Sequence, residues 1–316
     1  MLFRILNLSI LFGFVTHHVT SQIPMTCTRM AYVTDSRKTL YIHGGNCEGF
    51  GASQLFSLDL TQQSLTKSMP SWKELTPAQG SATPPAAEAH SMTISQDSRT
   101  LTLWVGDLTY SFNLMTMTWT GPEILSKNAT NCPALRAVKD LRSGDVYVPE
   151  GYNEGTQMAI YRYNGRFSWA PMPTAAVMPL ESWLYSAVWS TLRGTMLLYG
   201  GNDLDSDQGS QFLVEYDPRT NAWSRIPTRG ISPGDIYNHC MVPAYNGTKM
   251  VVFGGQHNKM VGSLGSIYVL DLESMSWTKG ADVDRALWRS NMACTVAGDN
   301  FVAWGGKVNY GIEIYL

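Results

Sequence analysis

With 316 residues, 44% of them hydrophobic, the chain can bury one large core or a long repeat array. Its 23 Lys and Arg nearly balance 25 Asp and Glu and form no basic run, which argues against electrostatic capture of nucleic acid or of an anionic membrane. Twenty-eight glycines beside an 11% aromatic share suit many short strands joined by tight turns, which is an all-β composition.

The N-terminus reads as a leader. One positive side chain lies within Met1 to Arg4, a mainly apolar run follows from Ile5 to Val15, and Val19, Thr20 and Ser21 supply small residues before a cleavage point. The expectation is a signal peptide over residues 1–21, with a secreted mature chain from Gln22. No other stretch is long and apolar enough to span a bilayer. All five cysteines (Cys27, Cys47, Cys132, Cys240, Cys294) lie in the mature part, so at least one is unpaired or pairs elsewhere. The sequons at Asn128 and Asn246 fall in expected loops and agree with an extracellular glycoprotein.

The mature chain restates one phrase: an apolar strand, a glycine pair, a loop, a second apolar strand, and an aspartate six residues before a tryptophan. Copy one has a strand from Cys27 to Val33, then Thr39 to Gly45 and Leu55 to Asp59, with Leu65 where a tryptophan is expected and Trp72 in an added segment. Copy two, with Thr100 to Gly106, keeps one glycine, has Asn113 for the aspartate, and retains Trp119. Copy three, from Asp145 to Gly151, is equally worn and carries Trp169 after a shorter turn. Copies four (Thr195 to Gly201, Asp217, Trp223) and five (Val251 to Gly255, Asp271, Trp277) are complete. Copy six runs from Arg289 through Gly305 and Gly306 to Leu316. Leu65, Trp119, Trp169, Trp223 and Trp277 are spaced by 54, 50, 54 and 54 residues. A period near fifty with several short alternating segments is that of a β-propeller blade, which cannot bury both faces alone. Each part of the phrase has a physical reason. The glycines allow positive φ where chains approach closely, the aspartate accepts backbone N–H bonds in a tight turn, and the tryptophan fills space between blades.

The glycine pair, the aspartate–tryptophan spacing and the histidines that open strands at His90 and His239 (more loosely, Asn291) resemble the Kelch repeat. The resemblance implies an all-β, six-bladed Kelch-type β-propeller, with repeats near 26–75, 88–122, 131–172, 184–226, 237–279 and 289–316. Kelch propellers close by giving the last blade a strand from the other terminus, and only Gln22 to Thr26 is available here. The last blade is therefore expected to be incomplete, in a chain cut from a longer one. A stalk or anchor beyond Leu316 would then be the route to a membrane.

The resemblance also brings a choice of function. A galactose oxidase-like copper enzyme needs two tyrosines, two histidines and a cysteine. Outside the leader only His43, His90, His239 and His257 exist, and Tyr237-Asn238-His239 lacks the adjacent Tyr-His pair of that family. The expected function is a non-catalytic, extracellular protein-interaction scaffold with no cofactor. The alternatives are the copper enzyme, a sugar isomerase and a carbohydrate-binding propeller. Loops entering each blade gather Trp183, Tyr185, Tyr237, Asn238, Trp288 and Arg289 at one rim, and aromatics with arginine are common anchors of protein contacts. Trp183 and Trp288 could equally pack between loops. Asp203, Asp205 and Asp207 alternate as in a calcium loop, but the glycine falls one place late and Val214 stands where glutamate is required, so a solvated loop is the plainer reading. Cys27 and Cys47 lie at strand ends that antiparallel pairing brings together, a disulfide candidate with Cys27–Cys294 as its rival. Cys132, Cys240 and Cys294 are expected as buried free thiols.

Overall fold

The computed structural model describes residues 7–10, 23–61, 72–106, 108–124, 136–149, 158–163, 167–171, 184–201, 212–257 and 260–308. Leu65, Asn128, Cys132, Trp183 and the trio Asp203, Asp205 and Asp207 lie outside these residues. Within them the chain is all strand and turn, broken only by two single 3-10 turns, Tyr245–Gly247 and Arg285–Leu287.

Sheet one comprises Ala31–Thr34, Thr39–His43, Leu55–Asp59 and Trp72–Glu74. Sheet two comprises Ser91–Ile94, Thr100–Val105, Leu108–Asn113 and Thr118–Ile124. Sheet three comprises Val138–Lys139, Val146–Pro149, Met158–Tyr163 and Phe167–Pro171, and sheet four Ser186–Ser190, Thr195–Tyr199, Phe212–Asp217 and Ala222–Pro227. Each of these four is an antiparallel meander in chain order. Sheet five repeats the plan with Cys240–Ala244, Lys249–Phe253, Ile267–Asp271 and Ser276–Lys279, and Arg229–Gly230 adds a parallel strand outside it. Sheet six has Ala293–Ala297 and Asn300–Trp304, with Asn7–Ile10 lying parallel to the latter. That segment belongs to the expected leader, and it occupies the edge that takes an antiparallel third strand in every other sheet.

The sheets form a propeller-like arrangement. The first strand of sheet one packs against those of sheets two and six, and the first strand of sheet five against those of sheets four and six. Alternation along each second strand directs side chains to two different neighbours. Leu40 and Ile42 join the core shared with sheet six, while Tyr41 joins that shared with sheet two. Met196 and Leu198 face sheet three, and Leu197 and Tyr199 face sheet five. Phe301 and Ala303 face sheet five, whereas Val302 and Trp304 face sheet one. These strands are buried on both sides, which is why they read as near-continuous apolar runs.

The aspartate and the tryptophan fall where the phrase requires. Asp59, Asp217 and Asp271 each accept backbone N–H bonds through Oδ1, from Thr61 (2.8 Å), Arg219 (2.9 Å), and Glu273 and Ser274 (3.1 and 2.9 Å). Asn113 does the same for Met115 at 2.8 Å. The Lys249 ammonium and the turn N–H groups hold the Asp271 carboxyl far below the usual carboxylate range. Sheet one corrects the sequence reading. Trp72 sits opposite Leu58 in the same register as Trp119 opposite Phe112, Trp223 opposite Tyr216 and Trp277 opposite Leu270. Trp72 is therefore the tryptophan of the repeat, thirteen residues after Asp59 where Trp119, Trp223 and Trp277 follow their turn residue by six.

The cysteines meet one expectation and overturn another. Cys27–Cys47 is a disulfide, and the Cys27–Cys294 rival is not formed. Cys240 and Cys294 are not free thiols: their Cα atoms are 6.3 Å apart and they form a second disulfide between sheets five and six. Placing the free-thiol expectation on them overlooked that two innermost strands of adjacent sheets run within bridging distance.

Candidate functional site

The glycine pair joins one sheet to the next. The second glycine donates its N–H to a carbonyl that precedes the first strand of the following sheet: Gly45 to Ala87 (2.8 Å), Gly201 to Ile236 (2.8 Å), Gly255 to Arg289 (3.0 Å) and Gly306 to Cys27 (2.9 Å). The first glycine meets the same carbonyl. A Cβ on Gly44, Gly200, Gly254 or Gly305 would stand 2.2–2.5 Å from it, at φ between +63° and +68°. Three residues beyond each carbonyl lies the side chain that covers the pair, namely His90, His239, Met292 and Met30. Sequence reading found the two histidines and missed both methionines, because the slot demands bulk and burial and not a particular chemistry. The tryptophan of the following sheet closes the other side: Trp277 lies 5.0 Å from Tyr199 and Trp72 lies 5.0 Å from Trp304, centroid to centroid.

A belt of backbone bonds runs inside these seams. Ala89 donates to Arg29, Arg29 to Asn291, Asn291 to Asn238, and Asn238 to Leu184, at 2.9–3.1 Å. All five residues have φ between +54° and +64°, the left-handed region that ordinary side chains avoid. The belt fixes the mouth of an axial cavity of about 420 Å³, lined by the first strands of all six sheets.

The lining is cationic. Arg136 and Lys139 contribute charge, Arg29 is paired with Glu88 just outside the lining (3.6 Å), and no Asp or Glu lines the cavity among the described residues. The Arg136 Nε donates to the Tyr185 carbonyl at 3.3 Å, and the guanidinium charge reaches Tyr32, His90 and His239 on three different sheets. Lys139 donates to the Ile94 carbonyl at 2.6 Å, and burial lowers its pKa. Burial, with Arg136 second, pushes His90 down to about 4 and His239 to about 3. His43 Nδ1 and His90 Nε2 are 2.8 Å apart, so one ring donates and the other accepts, and both are neutral. Burial and the neighbouring His90 hold His43 well below its ordinary value.

The candidate rim residues separate by environment. Asn238 is buried, lines the cavity and donates through Nδ2 to Gln256 Oε1 at 3.2 Å. Tyr237, the residue before it, and Tyr185, which follows the Leu184 whose carbonyl accepts the Asn238 N–H, are half-buried. Trp288 packs onto the Gly265 backbone and donates to the Val283 carbonyl at 3.1 Å, so it braces two loops. Arg289, only 4% exposed, spends its guanidinium on the carbonyls of Gly305 (3.0 Å) and Leu287 (3.1 Å). Asn246 is exposed on the 3-10 turn of sheet five.

The histidines do not assemble an oxidase-type copper set. His43 and His90 bond to each other, His239 lies against Tyr199 in another seam, and no three His, Cys, Asp or Glu side chains converge as metal ligands among the described residues. Nor is any described helix long and apolar enough to cross a membrane.

Meanders of this kind, joined through glycine pairs and inter-sheet tryptophans, define a Kelch-repeat β-propeller protein, and this chain is one. Residues 186–313 match the family model described as the KLHDC2/KLHL20/DRC7 Kelch-repeats domain. Among curated proteins, Kelch domain-containing protein 3 of Homo sapiens and of Bos taurus is 26% identical over 175 residues, 51% of this chain and 43% of the relative. The chain thus spans less than half the length of those relatives. Acyl-CoA-binding domain-containing protein 4 of Arabidopsis thaliana is 28% identical over 127 residues, covering 38% of this chain and 18% of that protein. Dynein regulatory complex subunit 7 of Chlamydomonas reinhardtii is 30% identical over 128 residues, covering 39% and 11%.

Proposed function

We propose that this chain is a secreted, non-catalytic propeller of six blades, the last one incomplete, whose axial mouth binds an acidic segment of a protein partner. The observation that carries this reading is the cavity lining, with Arg136 and Lys139, with Arg29 shared with Glu88 outside the lining, and with no lining carboxylate among the described residues. In a partly desolvated cleft such an imbalance attracts and orients negative charge. Tyr185 and Tyr237 are the proposed aromatic contacts at the rim, with Trp183 two residues before Tyr185 in sequence. The six-bladed ring is supported by the shared cores that join sheet one to sheets two and six. Two disulfides fit an oxidising compartment, and the leader and the exposed Asn246 sequon fit the secretory route.

Titration with fluorescent hexaglutamate and hexalysine peptides tests the reading. Hexaglutamate binding that weakens about tenfold in Arg136→Ala supports it. Equal affinity for the two peptides, or binding indifferent to Arg136→Ala, contradicts it.

A further inference from the structure

The backbone belt and the mouth lie where the first strands begin, and the turns that follow those strands gather at the opposite end of the axis. There Gln96 Nε2 donates to the Leu141 and Arg142 carbonyls (3.4 and 2.8 Å), and Arg142 Nη2 donates to the Thr191 carbonyl at 3.1 Å. A Cβ on Gly247 would stand 2.2 Å from Thr191 Oγ1. The turns of sheets two to five thus form one continuous arc, and Leu141 in it lines the axial cavity.

The turns of sheets one and two, Asp35 to Lys38 and Ser95 to Arg99, are polar. Those of sheets three, four and five instead present Leu141, Leu192 and Tyr245, which are 59%, 45% and 41% exposed. Large apolar side chains on three neighbouring turns make a patch of the kind that a contact covers. The cations beside it are bonded within the chain: Arg193 to Glu215, Lys249 to Asp271, and Arg142 to the Thr191 carbonyl. What these turns offer is mainly apolar surface.

The turn of sheet five differs from the rest. Tyr245, Asn246 and Gly247 have φ of +49°, +57° and +79°, whereas each of the other five turns holds a single left-handed residue (Lys38, Ser98, Gly144, Gly194 and Gly298). A bulky aromatic in this region is an outlier, and here it is held out in solvent. Asn246 beside it is exposed, and its side chain makes no hydrogen bond among the described residues. Thr248 Oγ1 donates to the Tyr245 carbonyl at 2.8 Å, which folds the whole Asn246-Gly-Thr248 triplet into the turn.

We infer that Asn246 carries an N-linked glycan that lies over Tyr245 and Leu192 and caps the end of the axis opposite the mouth. This rests on the secretory part of the proposed function and is independent of what the cavity binds. The Asn246 amide nitrogen forms a bond to the anomeric carbon of a lipid-linked oligosaccharide. The bond from that carbon to the lipid diphosphate breaks, the diphosphate leaves, and the nitrogen gives up one proton. The attachment point lies within the patch, and pyranose rings have apolar C–H faces that pack on aromatic and aliphatic side chains while their hydroxyls stay in water.

The experiment secretes the full chain from a eukaryotic host under its own leader and maps its glycopeptides by mass spectrometry. Fluorescence of the apolar probe ANS is read before and after enzymatic removal of N-glycans from the folded protein. A glycan on Asn246, and a rise in ANS fluorescence of about twofold or more on its removal, are expected. Leu192→Ser/Tyr245→Ser should keep the glycan and abolish the rise. A secreted chain with its leader cleaved and Asn246 bare, unchanged fluorescence on removal, or a rise that persists in the double variant would overturn the inference. A dimer of the glycosylated chain that the double variant dissolves would assign the patch to a second copy and overturn it as well. A chain that keeps residues 1–21 and is bare at both Asn128 and Asn246 would bring down the secretory reading, and the inference with it.

Discussion

The seam between sheets four and five and the seam between sheets two and three do one job with different chemistry. At the first, Gly200 and Gly201 meet the Ile236 carbonyl, His239 and Trp277 cover Tyr199, and Ser186 Oγ donates to the His239 carbonyl at 2.7 Å. At the second, one glycine remains, Gly106, and an added Cβ there would touch nothing within 4 Å. Polar side chains replace the missing pair. Lys139 reaches the Ile94 carbonyl, the Ala137 N–H reaches Ser91 Oγ at 3.0 Å, and Gln96 Nε2 reaches the Arg142 carbonyl at 2.8 Å. A seam made of backbone against backbone cannot yield to an added atom, whereas one made of long side chains can. The worn second copy is thus a seam rebuilt with other groups.

The largest contrast should come from the glycines. Gly200→Ala forces a Cβ to 2.2 Å from the Ile236 carbonyl at φ +68°. It should cost more than about 3 kcal/mol in urea unfolding. Gly106→Ala, at φ +58° in open space, should cost about 1 kcal/mol. Similar losses for the two would erase the distinction between the seams.

The side chains come next. Removing Trp277, 4% exposed and packed on Tyr199, should cost about 3–5 kcal/mol as the alanine. Lys139→Met keeps the apolar stem and removes one hydrogen bond, so a loss of about 1–2 kcal/mol is expected from the same measurement.

Histidines set a smaller, pH-dependent difference. His43, His90 and His239 are held neutral by burial, with folded pKa values below the ordinary 6.5. Their stability contribution is whole above pH 6.5 and declines as pH falls below it. The slope is about 1.4 kcal/mol per pH unit for each histidine. The lowered carboxylates, Asp59, Asp97, Asp217 and Asp271, act only below their ordinary 3.8, so the window between belongs to the histidines. His239→Met installs the residue that Met30 and Met292 supply in the same slot, and it should flatten the slope of stability against pH from 6.5 to 5 by about one histidine's share. An unchanged slope would show that His239 does not titrate with folding.

Much of this architecture was legible in the sequence because the repeat phrase is a set of backbone requirements. Positive φ at a close approach admits glycine, and a turn whose N–H groups need an acceptor admits Asp or Asn. Where the requirement is only volume, the signal fades. Met30 and Met292 occupy the histidine slot unannounced, and Trp72 stands thirteen residues after its aspartate instead of six. The Cys240–Cys294 bridge was illegible because it joins two sheets whose facing strands no local pattern sets at bridging distance. At the rim, Arg289 resembled a binding residue by type, but the carbonyls of Gly305 and Leu287 claim its guanidinium. Of the cavity cations, Arg136 and Lys139 are three residues apart, but Arg29 is more than a hundred residues away and joins them only through the arrangement of the sheets.

The central claim is that the glycine pair codes for the seam and that the closing seam uses the same bond as the internal ones. Amide exchange of Gly306, compared by NMR with Gly45, Gly201 and Gly255 in the oxidised protein, tests it directly. Protection of Gly306 within about tenfold of the other three is the predicted result. Exchange at the rate of an open loop, with the other three protected, would contradict it.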